Sequence, residues 1–164
     1  MSIFFDFFMS PFSDIIRCKA DPSSFGFDKF HLLSEAGVRS KIIESDDIVS
    51  AANHKNKKAL VVLRDHSIEE GAVKLIAEKK SLCILFDLGR LIRSRGVSRA
   101  VAMSKMRNLL RLCVRFGALY SFASFSESES QIRTADELAH IAMLLGLNRG
   151  QARNAMELLE RYLG

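Results

Sequence analysis

Tryptophan is missing from this 164-residue chain, proline occurs twice and cysteine three times. Each shortage excludes something. Two prolines in a chain that is 48% hydrophobic do not fit a disordered or linker-rich protein. Cys18, Cys83 and Cys113 lie far apart and form no C-x-x-C pair. Neither a disulfide framework nor a cysteine zinc site is indicated, and buried free thiols in a reducing, cytoplasmic setting are expected. No apolar run approaches the roughly 18 residues that a membrane span needs, so no membrane partner is expected. The Phe-rich start, MSIFFDFFMSPF, lacks a basic region and is interrupted by Asp6, unlike a secretory leader. G-x-G-x-x-G, P-loop and nucleophile-elbow motifs are absent, as is any repeat of fixed period. His31, His54, His66 and His140 share no metal-ligand spacing with one another or with cysteine.

One absence is local. From Leu88 to Phe116 (LGRLIRSRGVSRAVAMSKMRNLLRLCVRF) there is no carboxylate, while Arg90, Arg93, Arg95, Arg99, Lys105, Arg107, Arg111 and Arg115 supply eight positive charges. The whole chain carries only +5, so everything outside this stretch amounts to −3. Charge needed only for solubility could be scattered; concentrated charge creates a field suited to a polyanion, and nucleic acid is the commonest. Leu88 to Val97 reads as a loop with glycines at its shoulders. Ser98 to Phe116 reads as a helix capped by Ser98 and closed by Gly117. Ala102, Met106, Leu109, Leu110, Cys113 and Phe116 recur at three- and four-residue steps and define its core face. Arg107, Arg111 and Arg115, four apart, line up beside that face.

The remaining chain alternates short apolar runs with helical patterns. Strands are expected at Ser2 to Met9, Lys29 to Ser34, Val38 to Glu44, Ala59 to Leu63 (ALVVL), Leu82 to Phe86 (LCILF) and Ala118 to Ser124. Ser10 to Ser24 stays open between a short strand and a helical turn. ALVVL is continuous, as in a strand covered on both faces. A short helix is expected over Asp46 to Ala52. Capping boxes at Ser67/Glu70 and Thr134/Glu137 open further helices, and Asn148 opens the last, which runs through Leu163. Strand-then-helix repetition with short connections implies parallel strands and right-handed crossovers in a single domain over 1–164. Two α/β architectures fit: a doubly wound open sheet, or a TIM-barrel-like (βα)n fold of about six parallel strands. At this length a barrel has to be shortened or incompletely closed.

Candidate catalytic chemistry is thin. Asp65-His66 follows ALVVL and Asp87 follows LCILF, where barrel enzymes carry their residues, but three such groups fall short of a metal-hydrolase cluster. The terminal helix pair has the outline of a helix-turn-helix, but its last helix mixes Arg149, Arg153 and Arg161 with Glu157 and Glu160.

From Leu82 onward, FDLGRLI at a strand end, Arg99 at the helix start, Arg111 and Arg115, SFAS at the next strand end and QIRTADELAHIAMLLGLNRGQAR run collinearly. Upstream, IIESDD and ALVVL keep order and spacing. In these features the chain resembles the archaeal ribonuclease P protein component 3 family, the thirty-kilodalton-type subunit shared with eukaryotes. The family's Arg-Pro after the strand reads Gly89-Arg90 here. The Pro-Arg of its closing signature reads Ala135-Asp136, which leaves Arg133 as the matching arginine. The resemblance implies a βα barrel related to the polymerase-and-histidinol-phosphatase hydrolases but without their metal chemistry. It implies partners: the ribonuclease P catalytic RNA, a small ferredoxin-like subunit and other ribonuclease P proteins, with precursor tRNA met through the holoenzyme. The holoenzyme removes the 5′ leader from precursor tRNA using Mg2+ and the RNA; no catalytic or metal residue and no cofactor is expected in this chain. RNA binding is expected from Arg90, Arg93, Arg95, Arg99, Lys105, Arg107, Arg111 and Arg133. The competing expectations are a divergent metal-dependent hydrolase and a helix-turn-helix DNA-binding protein.

Overall fold

The computed structural model describes residues 12–164. The strand expected over Ser2 to Met9 lies outside them. Six described strands form two all-parallel sheets. One pairs β1 (Ser13–Ile16) with β2 (Lys29–Leu32); the other runs in the order β3 (Ile42–Ser45), β4 (Leu60–Leu63), β5 (Cys83–Asp87), β6 (Leu119–Ala123). The sheets touch just beyond β6. Ser126 bridges Ile16, the Phe125 amide donates to the Ile15 carbonyl at 2.9 Å and the Arg17 amide to Ser126 at 2.8 Å. No ladder joins β2 to β3 among the described residues. The seven described α-helices are α1 (Ala36–Arg39), α2 (Ile48–Ala52), α3 (Glu70–Lys79), α4 (Gly89–Arg93), α5 (Gly96–Phe116), α6 (Ala135–Leu144) and α7 (Arg149–Leu163).

Strand alternation divides the core. Val61, Leu63, Ile84 and Phe86 point to one face and pack with α2, α3, α5 and α6 through Ile48, Val73, Ile76, Met106, Leu109 and Leu138. Leu60, Cys83, Leu85 and Ala123 point to the other, where Leu159, Tyr162 and Leu163 of α7 cover them. β5 is buried along its whole length, which is why LCILF needs no polar alternation. α7 is tied down at three points: His31 of β2 meets Glu160 at 2.9 Å, the Ser121 hydroxyl of β6 donates to the Ala155 carbonyl, and the Tyr162 hydroxyl donates to the Ser81 carbonyl ahead of β5. No helix among the described residues is long and apolar enough to cross a membrane.

Several local expectations change. Val38 and Arg39 belong to α1, so the strand starts only at Ile42; its short apolar run cannot by itself separate a turn of helix from a strand. The stretch expected as a loop after Leu88 contains α4, and α5 starts at Gly96, ahead of Ser98; its N-cap is Arg95, with no side-chain cap bond. Helix α3 is capped by Glu69, whose carboxylate accepts from the amides of Gly71 and Ala72, in place of Ser67. Gly117 does close α5, in the left-handed conformation at φ 74°. Thr134 caps α6, and Asn148 with Gln151 forms a full capping box on α7. The three cysteines are free, Cys83 and Cys113 buried and Cys18 half-exposed.

Candidate nucleic-acid interface

Helix α5 is amphipathic only over its second half. Met106, Leu109, Leu110, Leu112 and Cys113 are buried, whereas no residue from Gly96 to Lys105 is; Val97 remains 80% exposed. The first half therefore gains little from packing. Its composition serves the surface: Arg99 has no ion-pair partner among the described residues, while Lys105 meets Asp65.

The eight cations expected to bind RNA do not form one patch. The structure distributes seven of them over three places around α5 and leaves the eighth, Arg95, apart. At the carboxyl ends of β4 and β5, Arg64, Asp65, His66, Arg90 and Lys105 surround a small cavity of about 190 Å³. Arg90 donates to the Arg64 carbonyl, and Lys105 meets Asp65 at 2.9 Å. Arg64 itself faces Asp46 at 3.2 Å and Glu44 at 3.7 Å. This end of the sheet is thus rich in charge of both signs. Lys105 holds the Asp65 carboxyl below its ordinary value. Burial takes His66, which stacks on Phe86, down to about 4, and the positive charge of Arg90 assists; the ring is neutral at physiological pH.

Arg93 turns inward from α4. It pairs with Asp87 at 3.5 Å and reaches the Phe125 carbonyl. Asp87 is buried, its Oδ1 has no hydrogen-bond partner, and burial raises its carboxyl against the pull of Arg93 and Arg90. Beneath it lies Asp14, fully buried, which accepts from the Ser124 amide at 2.8 Å and from the Ser124 hydroxyl. Burial takes Asp14 up to about 6, and neighbouring Asp87 adds to the rise. A Cβ at Gly89 would overlap the Ser124 carbonyl, so only glycine lets α4 turn this tightly over the acidic pair. Arg93 is therefore part of the fold's internal charge balance.

The third place is the flank of α5 that faces α6. Arg99, Met103, Arg107, Arg111 and Arg115 form one i,i+4 row. Arg99 and Arg133 border an apolar cavity of about 240 Å³ over Ile92, Met103, Ile141 and Leu144. Arg107, Arg111 and Arg115 border a second, of about 360 Å³, over Leu110, Val114, Leu145 and Leu147. Arg107 lines the second cavity and donates to the Leu144 carbonyl, beside the first, at 2.9 Å and at the negative end of α6. Arg133 pairs loosely with Glu137 at 3.9 Å and Arg115 with Glu70 at 3.5 Å. Arg90, Arg95, Arg99, Arg107 and Arg111 have no ion-pair partner among the described residues. Arg95 sits exposed at the start of α5.

Arg64 was not a candidate on sequence, although it follows ALVVL as Asp87 follows LCILF; strand-end position was its only signal. The carboxylates of Glu44, Asp46, Asp65 and Asp87 reach their partners through the sheet, from outside the Leu88–Phe116 stretch. Among the described residues no three His, Cys, Asp or Glu side chains gather as a metal would need. His31 is a buried partner of Glu160, and His140 is exposed beside Asp136 on α6.

No protein-family model matches the chain, and no curated protein matches it. Among solved structures it is similar to a chain in the cryo-EM structure of an archaeal ribonuclease P with mature tRNA. The TM-score is 0.66, with 16% identity, over 92% of this chain and 79% of that one. The likeness establishes a shared α/β fold.

Proposed function

We propose that this chain is a protein subunit of a ribonuclease P, of the component 3 type, that binds the catalytic RNA and supports removal of the 5′ leader from precursor tRNA. The observation that carries the reading is the fold shared, over nearly the whole chain, with a chain of an archaeal ribonuclease P–tRNA complex. The arginine row on α5 agrees with it independently. In this reading the two sheets are one barrel-like run of six parallel strands, joined at Ser126 and left open between β2 and β3, with α7 covering the face that a complete barrel would close upon itself. Arg90, Arg95, Arg99, Arg107 and Arg111 neutralise RNA phosphates, with Lys105 and Arg133 joining once their carboxylate partners are displaced. Such contacts position RNA by shape and charge. The small ferredoxin-like subunit and other ribonuclease P proteins complete the assembly, and Mg2+ serves the RNA. No residue of this chain takes a catalytic part.

A metal-hydrolase reading would have to use Asp65, His66 and Asp87. The first is held by Lys105, the second is buried against Phe86 and the third faces Arg93. A DNA-reading role for α7 meets the obstacle that this helix buries Ala152, Ala155, Met156 and Leu159 and pairs Arg153 with Glu157. The test is reconstitution. Adding the chain, with its partner subunit, to catalytic RNA should raise precursor tRNA cleavage at low Mg2+. Cleavage indifferent to the chain at every Mg2+ concentration would overturn the reading.

A further inference from the structure

Three features of the α5–α6 flank go together. The two cavities follow one another along α5, on either side of the bridging Arg107–Leu144 hydrogen bond, and together form a two-part groove. Measured along α5 from Arg99 to Arg115, it is about 24 Å long at 1.5 Å per residue. None of the described residues lining it is a carboxylate, while five are arginines. Its floor is apolar, and it stays open to solvent at Val114 and Leu144, which are 41% and 62% exposed. The cavity at the strand ends differs on the decisive point: Asp65 lines it and satisfies Lys105 from within.

An arginine wall alone would suit any polyanion. The apolar floor narrows the choice. A duplex presents stacked, paired bases whose apolar faces are hidden, so it would cover the arginines and leave the floor unused. An unpaired strand offers phosphates and base faces together, and guanidinium planes stack on bases as well as bonding phosphates. Gln151, at the second cavity, adds a polar edge. Its Oε1 accepts from the Asn148 amide at 2.9 Å, which leaves the side-chain NH2 free to donate to a base.

We propose that the groove between α5 and α6 holds a single-stranded segment of RNA, with phosphates along Arg99, Arg107, Arg111 and Arg133 and bases over Met103, Val114 and Leu144. This rests on the ribonuclease P reading and adds which form of RNA the face takes. An acidic, apolar peptide is the competing occupant. It is disfavoured because the fold is shared with a chain of an RNA-containing complex, and because guanidiniums beside an apolar floor serve phosphates and base faces of one strand together.

The experiment measures binding of a fluorescent pyrimidine single strand of roughly eight nucleotides, within the site sizes usual for single-strand grooves, and of a duplex of the same length. The full chain is compared with Val114→Asp and Leu144→Asp, both exposed positions whose folding is checked by thermal melting. The wild type should bind the single strand at least about tenfold tighter than the duplex, and each variant should lose roughly tenfold for the strand, because the new carboxylate repels phosphates and removes an apolar contact with a base. Equal binding of strand and duplex, or strand binding unchanged in both variants, would overturn the proposal; the second result is also what a peptide occupant predicts. The reconstituted cleavage assay is run beside it. Support of cleavage by the wild type and by both variants alike sinks the groove and leaves the ribonuclease P reading standing. Strand binding without support of cleavage does the reverse.

Discussion

At the carboxyl ends of β4 and β5, Arg93 faces Asp87, Lys105 faces Asp65, and Arg64 faces Glu44 and Asp46. Along the outer row of α5, Arg99, Arg107 and Arg111 face no carboxylate among the described residues, and two of them rest on backbone carbonyls. Both regions belong to, or adjoin, one stretch of sequence with eight cations and no acid. The sheet makes them different by delivering acids from other strands to one region only. Exposed ion pairs are worth little in themselves, but they cancel the local field, and the field is what draws a polyanion in. Charge counted along the chain locates a basic segment; charge counted in space locates where a polyanion can sit.

The first way to sharpen this contrast is charge reversal. Arg107→Glu with Arg111→Glu should weaken binding of the catalytic RNA by 100-fold or more, about 3 kcal/mol at 1.4 kcal/mol per decade, in a filter-binding titration at fixed salt. Arg93→Ala with Lys105→Ala should weaken it only severalfold. Matching losses would erase the distinction between the regions.

The second addresses the acids beneath the strand-end region. Asp14 has a folded pKa of about 6 because it is buried, above the ordinary value of an unfolded chain. The fold therefore holds a proton there that the unfolded chain releases, and this contribution to stability is present below about pH 4 and lost as pH rises through about 6. Asp14→Asn should gain on the wild type over that interval by up to about 3 kcal/mol, read as the difference between two denaturant-unfolding pH profiles. Parallel profiles would show that Asp14 is not strained by burial.

A third, smaller effect concerns the helix that packs behind α5. Glu69→Ala should cost about 1 kcal/mol by removing the acceptor for two amides at the start of α3, while Ser67→Ala should change stability by less than about 0.5 kcal/mol. The opposite ranking in urea melts would restore the capping box expected from sequence.

The pattern of what could be read in advance has a physical basis. β4 and β5 were legible because strands covered on both faces are unbroken apolar runs. The core face of α5, its closure at Gly117 and the capping of α6 and α7 were legible because they depend on residues within a few positions of one another. β1 was not: Asp14 sits inside a four-residue strand, and besides the adjacent Ile15 amide its hydrogen-bond donors come from Ser124, 110 positions away. The strand-end ion pairs escaped for the same reason, since Glu44, Asp46 and Asp65 lie far along the chain from the cations that they serve. The row Arg107, Arg111, Arg115 was visible as a four-residue spacing, but its apolar floor of Leu145 and Leu147 comes from the turn between α6 and α7 and could be found only by folding.

The most direct measurement is the dependence of RNA affinity on salt in two alanine sets. Each neutralised phosphate contributes about 0.7 to 0.9 to the log–log slope. Arg99, Arg107 and Arg111 changed together to Ala should lower the slope by about 2 to 3, and Arg64, Arg93 and Lys105 changed together by less than about 1. Equal reductions, or a slope that neither set alters, would contradict the assignment of the RNA to the outer row of α5.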